Sequence, residues 1–248
     1  MKSSALRLRR ATVLVAIIAL LLAAPMRPAR AQAPRQTAPD VPAIVKETEQ
    51  VYQAERVMTL VWWMPEQYLQ AAMVQNSDIS PDKIEAIVKA LRGYTIVAVI
   101  EGKLGVLGKL EYTPEDTLAT EVLIKDSAGN SYTPLPDEQV NGDAKTFLGV
   151  MKPLMTNMMG AFGQNFNFFV FPGQGKDGKV IADATKEGLF YVEVGAREFR
   201  WRLPLGSLLP RKICPLCKES LSGAYKYCPY DGTKLPEPAS APSPPAKL

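Results

Sequence analysis

The chain has 248 residues, of which 47% are hydrophobic and 22% are charged, and its formal net charge is +4. This length and composition fit one good-sized globular domain with small attachments, and they exclude a wholly disordered chain. Histidine does not occur in the sequence, which excludes Ser-His-Asp and Cys-His catalysis as well as imidazole metal ligands.

The first 31 residues have the features of an export signal. A basic segment from Lys2 to Arg10 precedes an apolar run from Ala11 to Ala24, and Ala29-Arg30-Ala31 fits a cleavage site before Gln32. As a helix the apolar run spans about 21 Å, less than the ~30 Å hydrocarbon core of a bilayer, so an uncleaved membrane anchor is the second interpretation. Arg9-Arg10 leaves both the Sec and the twin-arginine route open. We expect an exported protein, periplasmic or extracellular, with no transmembrane segment after signal removal.

The export signal also accounts for the positive net charge. Residues 1–31 contain six basic residues and no acidic one, so the rest of the chain has a net charge of −2. A nearly neutral chain lacks the basic character of a protein that binds polyanions. We therefore expect no nucleic-acid partner.

Three helices are predicted after a flexible spacer at residues 32–40. Asp40 is suited to cap a helix that runs to about Leu60, and Pro65 opens a second helix that ends near Gln75. Ser80-Pro81-Asp82 begins a third helix, which Gly93 closes.

The sequence then changes to the period of β-strands. The predicted strands are Tyr94–Glu101, Leu104–Tyr112, Leu118–Lys125, Ser131–Leu135, Phe166–Phe171, Val180–Asp183, Leu189–Val194 and Glu198–Leu203. A helix from Asp143 to Phe162, with a break or kink at Pro153, is inserted among them. Short connections favour antiparallel pairing. We therefore predict an α+β domain over about 41–209, with N-terminal helices and an antiparallel sheet interrupted by one helix.

All three cysteines of the chain lie between residues 213 and 235. Cys214 and Cys217 form a C-x₂-C unit, and after ten residues Cys228 and Asp231 form a C-x₂-D unit. Four donors that converge from two tight turns suit a tetrahedral ion, and thiolates with a carboxylate are acceptable zinc ligands. Cys214, Cys217, Cys228 and Asp231 are therefore the candidate ligands of one zinc ion.

This stretch resembles one half of a zinc ribbon of the double-zinc-ribbon (DZANK-type) kind, with a pattern close to CPxCG and then an aromatic residue before CPxCGTxL. The prolines inside both turns, Tyr227 before Cys228 and Gly232 after Asp231 match that pattern. Two positions depart from it, since Lys218 replaces a glycine and Asp231 replaces the fourth cysteine. The resemblance implies a small β-hairpin module over about 210–235 with a structural zinc, and it implies no activity.

Two other interpretations of the cysteines stay open. The ribbon could fold without metal, or Cys228 could form a disulfide with Cys214 or Cys217 in an oxidising compartment and leave one thiol free. A catalytic zinc is disfavoured, because four protein ligands leave no open position for water.

Two further motifs have simpler structural explanations. Residues 173–178 spell G-x-G-x-x-G, but no helix is predicted after them, so we interpret them as a glycine-rich connection between strands and not as a nucleotide site. Met151, Met155, Met158 and Met159 could bind Cu(I), yet their spacing is also that of a buried helix face.

The preferred hypothesis is a non-enzymatic exported protein whose zinc ribbon serves contact with another protein or stability. The alternative is an envelope hydrolase that uses carboxylates of the α+β domain, and metal handling by the methionine helix is the third. The candidate carboxylates Glu66, Glu101, Glu111 and Glu121 are scattered along the sequence. The basic residues of the strand at 197–202 are explained by a solvated sheet face. Residues 236–248 form a tail rich in proline and alanine, which we expect to be disordered.

Overall fold

Asp40 begins the part of the protein that the computed structural model describes, which comprises residues 40–75, 78–106 and 108–237. The predicted export signal and nearly all of the spacer lie outside the described residues, as does most of the predicted C-terminal tail. The side chain of Asp40 accepts a hydrogen bond from the amide of Ala43 and caps the first helix, α1 (Val41–Thr48).

The first helix is much shorter than predicted. It ends at Thr48, and residues 49–64 form an antiparallel hairpin of β1 (Glu49–Ala54) and β2 (Val57–Met64). The prediction of a helix to Leu60 was therefore wrong. The segment is rich in β-branched and aromatic residues, and pairing in a sheet allows β2 to bury side chains on both of its faces.

The second and third helices agree with the sequence prediction. They are α2 (Glu66–Gln75) and α3 (Pro81–Leu91), and Pro81 occupies the first turn of α3. Ser80 precedes α3 without forming the expected side-chain cap. The buried side chains of α3 are Ile84, Val88 and Leu91, which lie on one face because a helix repeats every 3.6 residues.

The first sheet is organised around the long central strand β3 (Tyr94–Leu104). One edge of β3 pairs with β2 along its length, and β1 lies outside β2. The other edge pairs with β7 (Asn167–Pro172) over its first half and with β4 (Leu110–Tyr112) over its last residues. All of these pairings are antiparallel.

A second antiparallel sheet has the order β6-β5-β8-β9. Its strands are β5 (Val122–Lys125), β6 (Ser131–Tyr132), β8 (Gly188–Val194) and β9 (Arg197–Leu203). The predicted strand at 118–125 begins instead with helix α4 (Glu115–Glu121), and the predicted strand at 180–183 is reduced to an isolated bridge between Gln174 and Val180.

Two neighbouring tryptophans show how the layers pack. Trp62 contacts Tyr68 of α2 and donates a hydrogen bond to Thr48 of α1. Trp63 contacts Phe190 and Trp201 of the second sheet. Successive residues of a strand point to opposite faces, so the first sheet lies between a layer of helices and the second sheet.

The inserted helix runs through the predicted breakpoint. Helix α5 (Gly142–Met159) contains Pro153 in its interior, and it ends instead at Gly160, whose φ is 60°. A short helix α6 (Ala161–Gln164) then leads into β7.

The C-terminal hairpin has a small core of its own. Strands β10 (Lys212–Ile213) and β11 (Ser220–Leu221) pair, and Cys214, Cys228, Leu221 and Leu235 form a buried cluster. A 3₁₀ turn (Gly206–Leu208) joins this hairpin to β9, and another (Asp137–Gln139) precedes α5. Helices and antiparallel sheets together confirm the α+β fold class. None of the helices in the described ranges combines the length and apolar character needed to cross a membrane.

Candidate metal centre

The candidate metal ligands lie on two turns of the same shape. In the first, Cys214-Pro215-Leu216-Cys217 closes with a hydrogen bond from the amide of Lys218 to the carbonyl of Cys214 (3.1 Å). In the second, the amide of Gly232 donates to the carbonyl of Cys228 (2.9 Å).

Each turn is also joined to the strand segment that follows it. The amide of Cys214 donates to the carbonyl of Glu219 (3.0 Å), and the amide of Cys228 donates to that of Thr233 (2.8 Å). Because the backbone hydrogen bonds are equivalent, the two turns present their side chains in the same way.

The four predicted ligand side chains converge. One donor atom from each of Cys214, Cys217, Cys228 and Asp231 lies within 4.8 Å of every other one. The Sγ atoms of Cys217 and Cys228 are 3.6 Å apart, and Cys214 Sγ lies 3.4 Å from Asp231 Oδ2. These residues are therefore close enough to hold a metal ion.

The donor set fits zinc. With Zn–S bonds of about 2.3 Å and a Zn–O bond of about 2.0 Å, the edges of a tetrahedral site measure about 3.8 Å between sulfurs and about 3.5 Å between sulfur and oxygen. The observed separations of 3.6 and 3.4 Å are close to these values. Four protein donors complete a tetrahedron, which is the arrangement of a structural site.

The first ligand of each turn is buried and the second is exposed. Cys214 and Cys228 belong to the small core of the hairpin, whereas Cys217 and Asp231 face solvent. A metal ion bound here would tie the surface turns to this small core.

Hydrogen bonds and crowding shift the pKa values of these groups in different directions. Hydrogen bonds from Thr233, including one from its amide at 2.8 Å, hold the pKa of the Asp231 carboxyl well below its usual range. The amide of Glu219 acts to lower the pKa of the Cys217 thiol, but desolvation and the neighbouring Cys214, Asp231 and Cys228 raise it to about 12. Burial acts to raise the pKa of Cys214, and the amides of Cys217 and Leu216 outweigh that effect and lower it.

Lys218 has a backbone conformation that favours glycine, which is the residue at this position in the zinc-ribbon pattern that the hairpin resembles. Its φ is 64°, in the left-handed region, and the corresponding residue of the second turn, Gly232, has a φ of 73°. The Nζ atom of Lys218 donates to the carbonyl of Pro215 within its own turn (2.6 Å). The departure from the family pattern therefore leaves the turn intact, although a lysine occupies a conformation that favours glycine.

The hairpin packs closely against the segment that connects it to the main domain. A Cβ atom added to Gly206 would lie 2.0 Å from Ser222 Oγ, and one added to Gly223 would lie 2.4 Å from Leu209 Cβ. The connecting segment is held to α1, because Glu47 Oε2 accepts hydrogen bonds from the amide and the hydroxyl of Ser207. These contacts fix the candidate centre relative to the described N-terminal helix.

Comparison with protein-family models, with curated proteins and with solved structures finds no match to this chain. The zinc-ribbon family therefore stays an interpretation of the sequence motif, and the convergence of the four ligand atoms is the structural finding.

The remaining sequence motifs fall into structural roles. The segment at 173–178 follows β7, and no helix comes directly after it. Gly173 allows close backbone packing, since an added Cβ would lie 2.7 Å from the carbonyl group of Gly93. The interpretation as a glycine-rich connection is confirmed.

The methionine run is divided between the core and the surface. Met151 and Met155 are buried in the main core, and Met159 is 43% exposed. The side chain of Met158 lies outside the described part of the structure.

The carboxylates considered for catalysis occupy separate places. Glu66 forms a bidentate ion pair with Arg92 on the surface. Glu101 is buried between the sheets, and Glu111 and Glu121 are exposed on β4 and α4. Glu49, whose pKa is raised by desolvation, lies on strand β1, away from the other four along the sequence.

The sequence did not indicate the polar cluster between the two sheets. Arg197 of β9 forms an ion pair with Glu101, and the hydroxyls of Thr59 and Thr113 donate to the same carboxylate. Phe199 and Trp201 of β9 are buried, while Arg200 and Arg202 are exposed, as the alternating pattern predicts. Arg197 is an exception to this separation of buried apolar and exposed basic side chains. It lies at the start of β9, where its side chain reaches the first sheet.

Proposed function

We propose that the protein is an exported, non-enzymatic protein in which Cys214, Cys217, Cys228 and Asp231 bind one structural zinc ion. The observation that carries the metal proposal is the convergence of four donor atoms, all within 4.8 Å of one another, on two equivalent turns. Zinc in a closed site of this kind contributes to folding and provides no position for a reacting water. The proposal of export depends on the sequence of residues 1–31.

The exposed surface of the hairpin supports a role in contact with another protein. Leu216 and Tyr230 occupy the same position in the two turns and are 67% and 75% exposed. Ile213, Tyr225 and Tyr227 add further exposed apolar surface to this small module. Exposed apolar groups on a rigid support are typical of interaction surfaces, and tyrosine is enriched in them.

The metal proposal is tested by measuring the metal content and the free-thiol count of the purified protein. We expect about one zinc ion per chain, and Asp231→Ala is expected to lose or weaken it because one of four ligands is removed. Asp231→Cys serves as the matched control, since it restores a fourth ligand and is expected to retain the metal. Absence of metal together with a single reactive thiol would instead establish a disulfide-linked hairpin and contradict the proposal.

The contact role has a separate test. A photo-crosslinking amino acid at position 230 is expected to capture a specific protein from the native envelope, whereas the same group at Lys89, an exposed residue of α3, is not. Equal capture at both positions, or capture at neither, would leave the hairpin with a purely stabilising role.

A further inference from the structure

The main domain contains a cleft between helix α5 and strand β7. Its volume is about 790 Å³, which falls within the roughly 300–1,000 Å³ typical of ligand sites. Phe166, Phe168 and Val170 form one side of it, and Leu148 and Gly149 of α5 lie on the other. The cleft is part of the α+β domain and uses none of the candidate metal ligands.

One edge of strand β7 pairs with β3, and its other edge faces away from the rest of the sheet. Phe169 is paired with Val97 and Phe171 with Thr95, and the amide of Gly173 donates to the carbonyl of Gly93. In an antiparallel ladder, alternate residues direct their amide and carbonyl groups towards the partner strand and away from it. The backbone groups of residues 168 and 170 therefore point away from β3.

Only part of that edge is used within the protein. The carbonyl of Val170 accepts a hydrogen bond from the amide of Leu135 (2.7 Å). Among the described residues, no backbone group pairs with the outward amide and carbonyl of Phe168. The cleft therefore borders a strand edge that is unpaired at Phe168, and unpaired backbone groups of a strand are a template for a further extended chain.

The charges around the cleft select the chemistry of such a chain. Lys152 forms an ion pair with Glu115, which also lines the cleft. Two further charged residues line it, Lys145 and Asp137, and within the described residues neither forms an ion pair. Apolar side chains at Phe168 and Leu148 favour apolar residues in the bound segment. Lys145 favours an acidic residue beside it, and Asp137 favours a basic residue elsewhere in the segment.

We infer that this cleft binds an extended, mainly apolar polypeptide segment of a partner protein, which pairs with the backbone of Phe168 and places an acidic side chain beside Lys145. Main-chain hydrogen bonds to the strand edge would provide affinity, and the walls of the cleft would select the side chains. This site is independent of the metal proposal, because the two sites share no residue.

The test begins with selection of phage-displayed random linear nonapeptides on the purified protein, followed by fluorescence anisotropy with the enriched peptide. Gly149 provides the blocking variant, since it lines the cleft and a Cβ atom added to it meets nothing within 4 Å. Gly149→Trp is expected to weaken binding about tenfold or more by filling the cleft. Gly149→Ala is the matched control and is expected to bind normally.

Two further measurements address the mode of binding. A peptide N-methylated at the amide that pairs with Phe168 is expected to bind about tenfold more weakly, and hydrogen exchange at the Phe168 amide is expected to slow in the complex. Lys145→Gln is expected to weaken binding several-fold, whereas Lys89→Gln, on α3, is not. The chelator-treated protein is expected to bind the peptide unchanged, so failure of the metal proposal and failure of this one are distinguishable.

Several outcomes would overturn the inference. One is that no peptide is enriched, and another is that the enriched peptides bind Gly149→Trp as well as they bind the unmodified protein. If the N-methylated peptide binds equally and exchange at Phe168 is unchanged, strand pairing is excluded. The cleft would then be assigned to a ligand held by side chains alone, such as a small amphiphile.

Discussion

Lys218 shows how the backbone conformation of a single residue limits the zinc affinity expected of the candidate metal centre. A left-handed conformation costs a residue with a Cβ atom roughly 1–2 kcal/mol, and glycine avoids that cost. The second turn has Gly232 at the equivalent position, with nearly the same φ. The hydrogen bond from Lys218 Nζ to the Pro215 carbonyl is exposed and offsets only part of the cost.

Replacement of Lys218 by glycine is therefore expected to strengthen zinc binding. Folding of a small metal module is linked to metal binding, so relief of about 1 kcal/mol of backbone strain corresponds to an affinity about fivefold higher. Competition with a chromophoric chelator measures this affinity. Lys226→Gly is the control, because Lys226 is exposed in the same hairpin and its φ is not positive. A loss of affinity in Lys218→Gly, or an equal gain in both variants, would contradict the strain argument.

At the scale of elements, the buried ion pair between Glu101 and Arg197 joins the two sheets. Glu101 lies on β3 with only 4% of its side chain exposed, and Arg197 comes from β9 with 24% exposed. The hydroxyls of Thr59 and Thr113 also donate to the carboxylate, so its charge is fully compensated where the sheets meet. The guanidinium of Arg197 also lies over the ring of Tyr52 on β1, 5.6 Å from its centroid.

Removal of one partner is expected to be more harmful than removal of both charges. Arg197→Met should lower the free energy of unfolding by about 3 kcal/mol, because it leaves the Glu101 carboxylate buried without a cation. Addition of Glu101→Gln should recover most of this loss, because glutamine is neutral. Its amide oxygen can accept from one threonine hydroxyl, and its NH₂ group can donate to the other. Urea denaturation of the two single variants and the double variant measures the coupling. Additive effects would show that the pair does not act as a unit.

At the scale of the whole molecule, the described residues form two separate apolar cores. The main core extends over both sheets and the helices, and the second consists of Cys214, Cys228, Leu221 and Leu235. All three tryptophans of the chain belong to the main core, and three tyrosines lie in the hairpin. The intrinsic fluorescence of tryptophan therefore reports on the main core alone.

Removal of metal is expected to unfold the hairpin and leave the main domain folded. A core of four residues buries too little apolar surface to be stable alone, whereas the main core does not depend on the metal ligands. Chelation should make all three thiols reactive, with the tryptophan emission maximum and the thermal midpoint of the main domain nearly unchanged. A red shift of tryptophan emission on chelation would show instead that the two cores are energetically coupled.

Predictions from sequence succeeded where short-range signals act alone. The third helix has a proline in its first turn and a single apolar face, and β9 alternates sharply between apolar and charged side chains, so both elements were correctly predicted. The segment at 49–60 was wrongly predicted because its partial helical stripe competes with β-branched and aromatic residues. The outcome depends on pairing with β3, which lies some forty residues further along the chain.

The sequence by itself determined the α+β class and the candidate metal ligands. The ligands could be predicted because the two turns that carry Cys214, Cys217, Cys228 and Asp231 begin only 14 residues apart. Only the tertiary structure decided that the main domain has two sheets and not one, and that Glu101 meets Arg197 from 96 residues away. It also placed α5 and β7 on two sides of a cleft, beside a partly unpaired edge of β7. Local turns are specified by the residues they contain, whereas sheet partners and clefts are selected by contacts between segments that are distant in the chain.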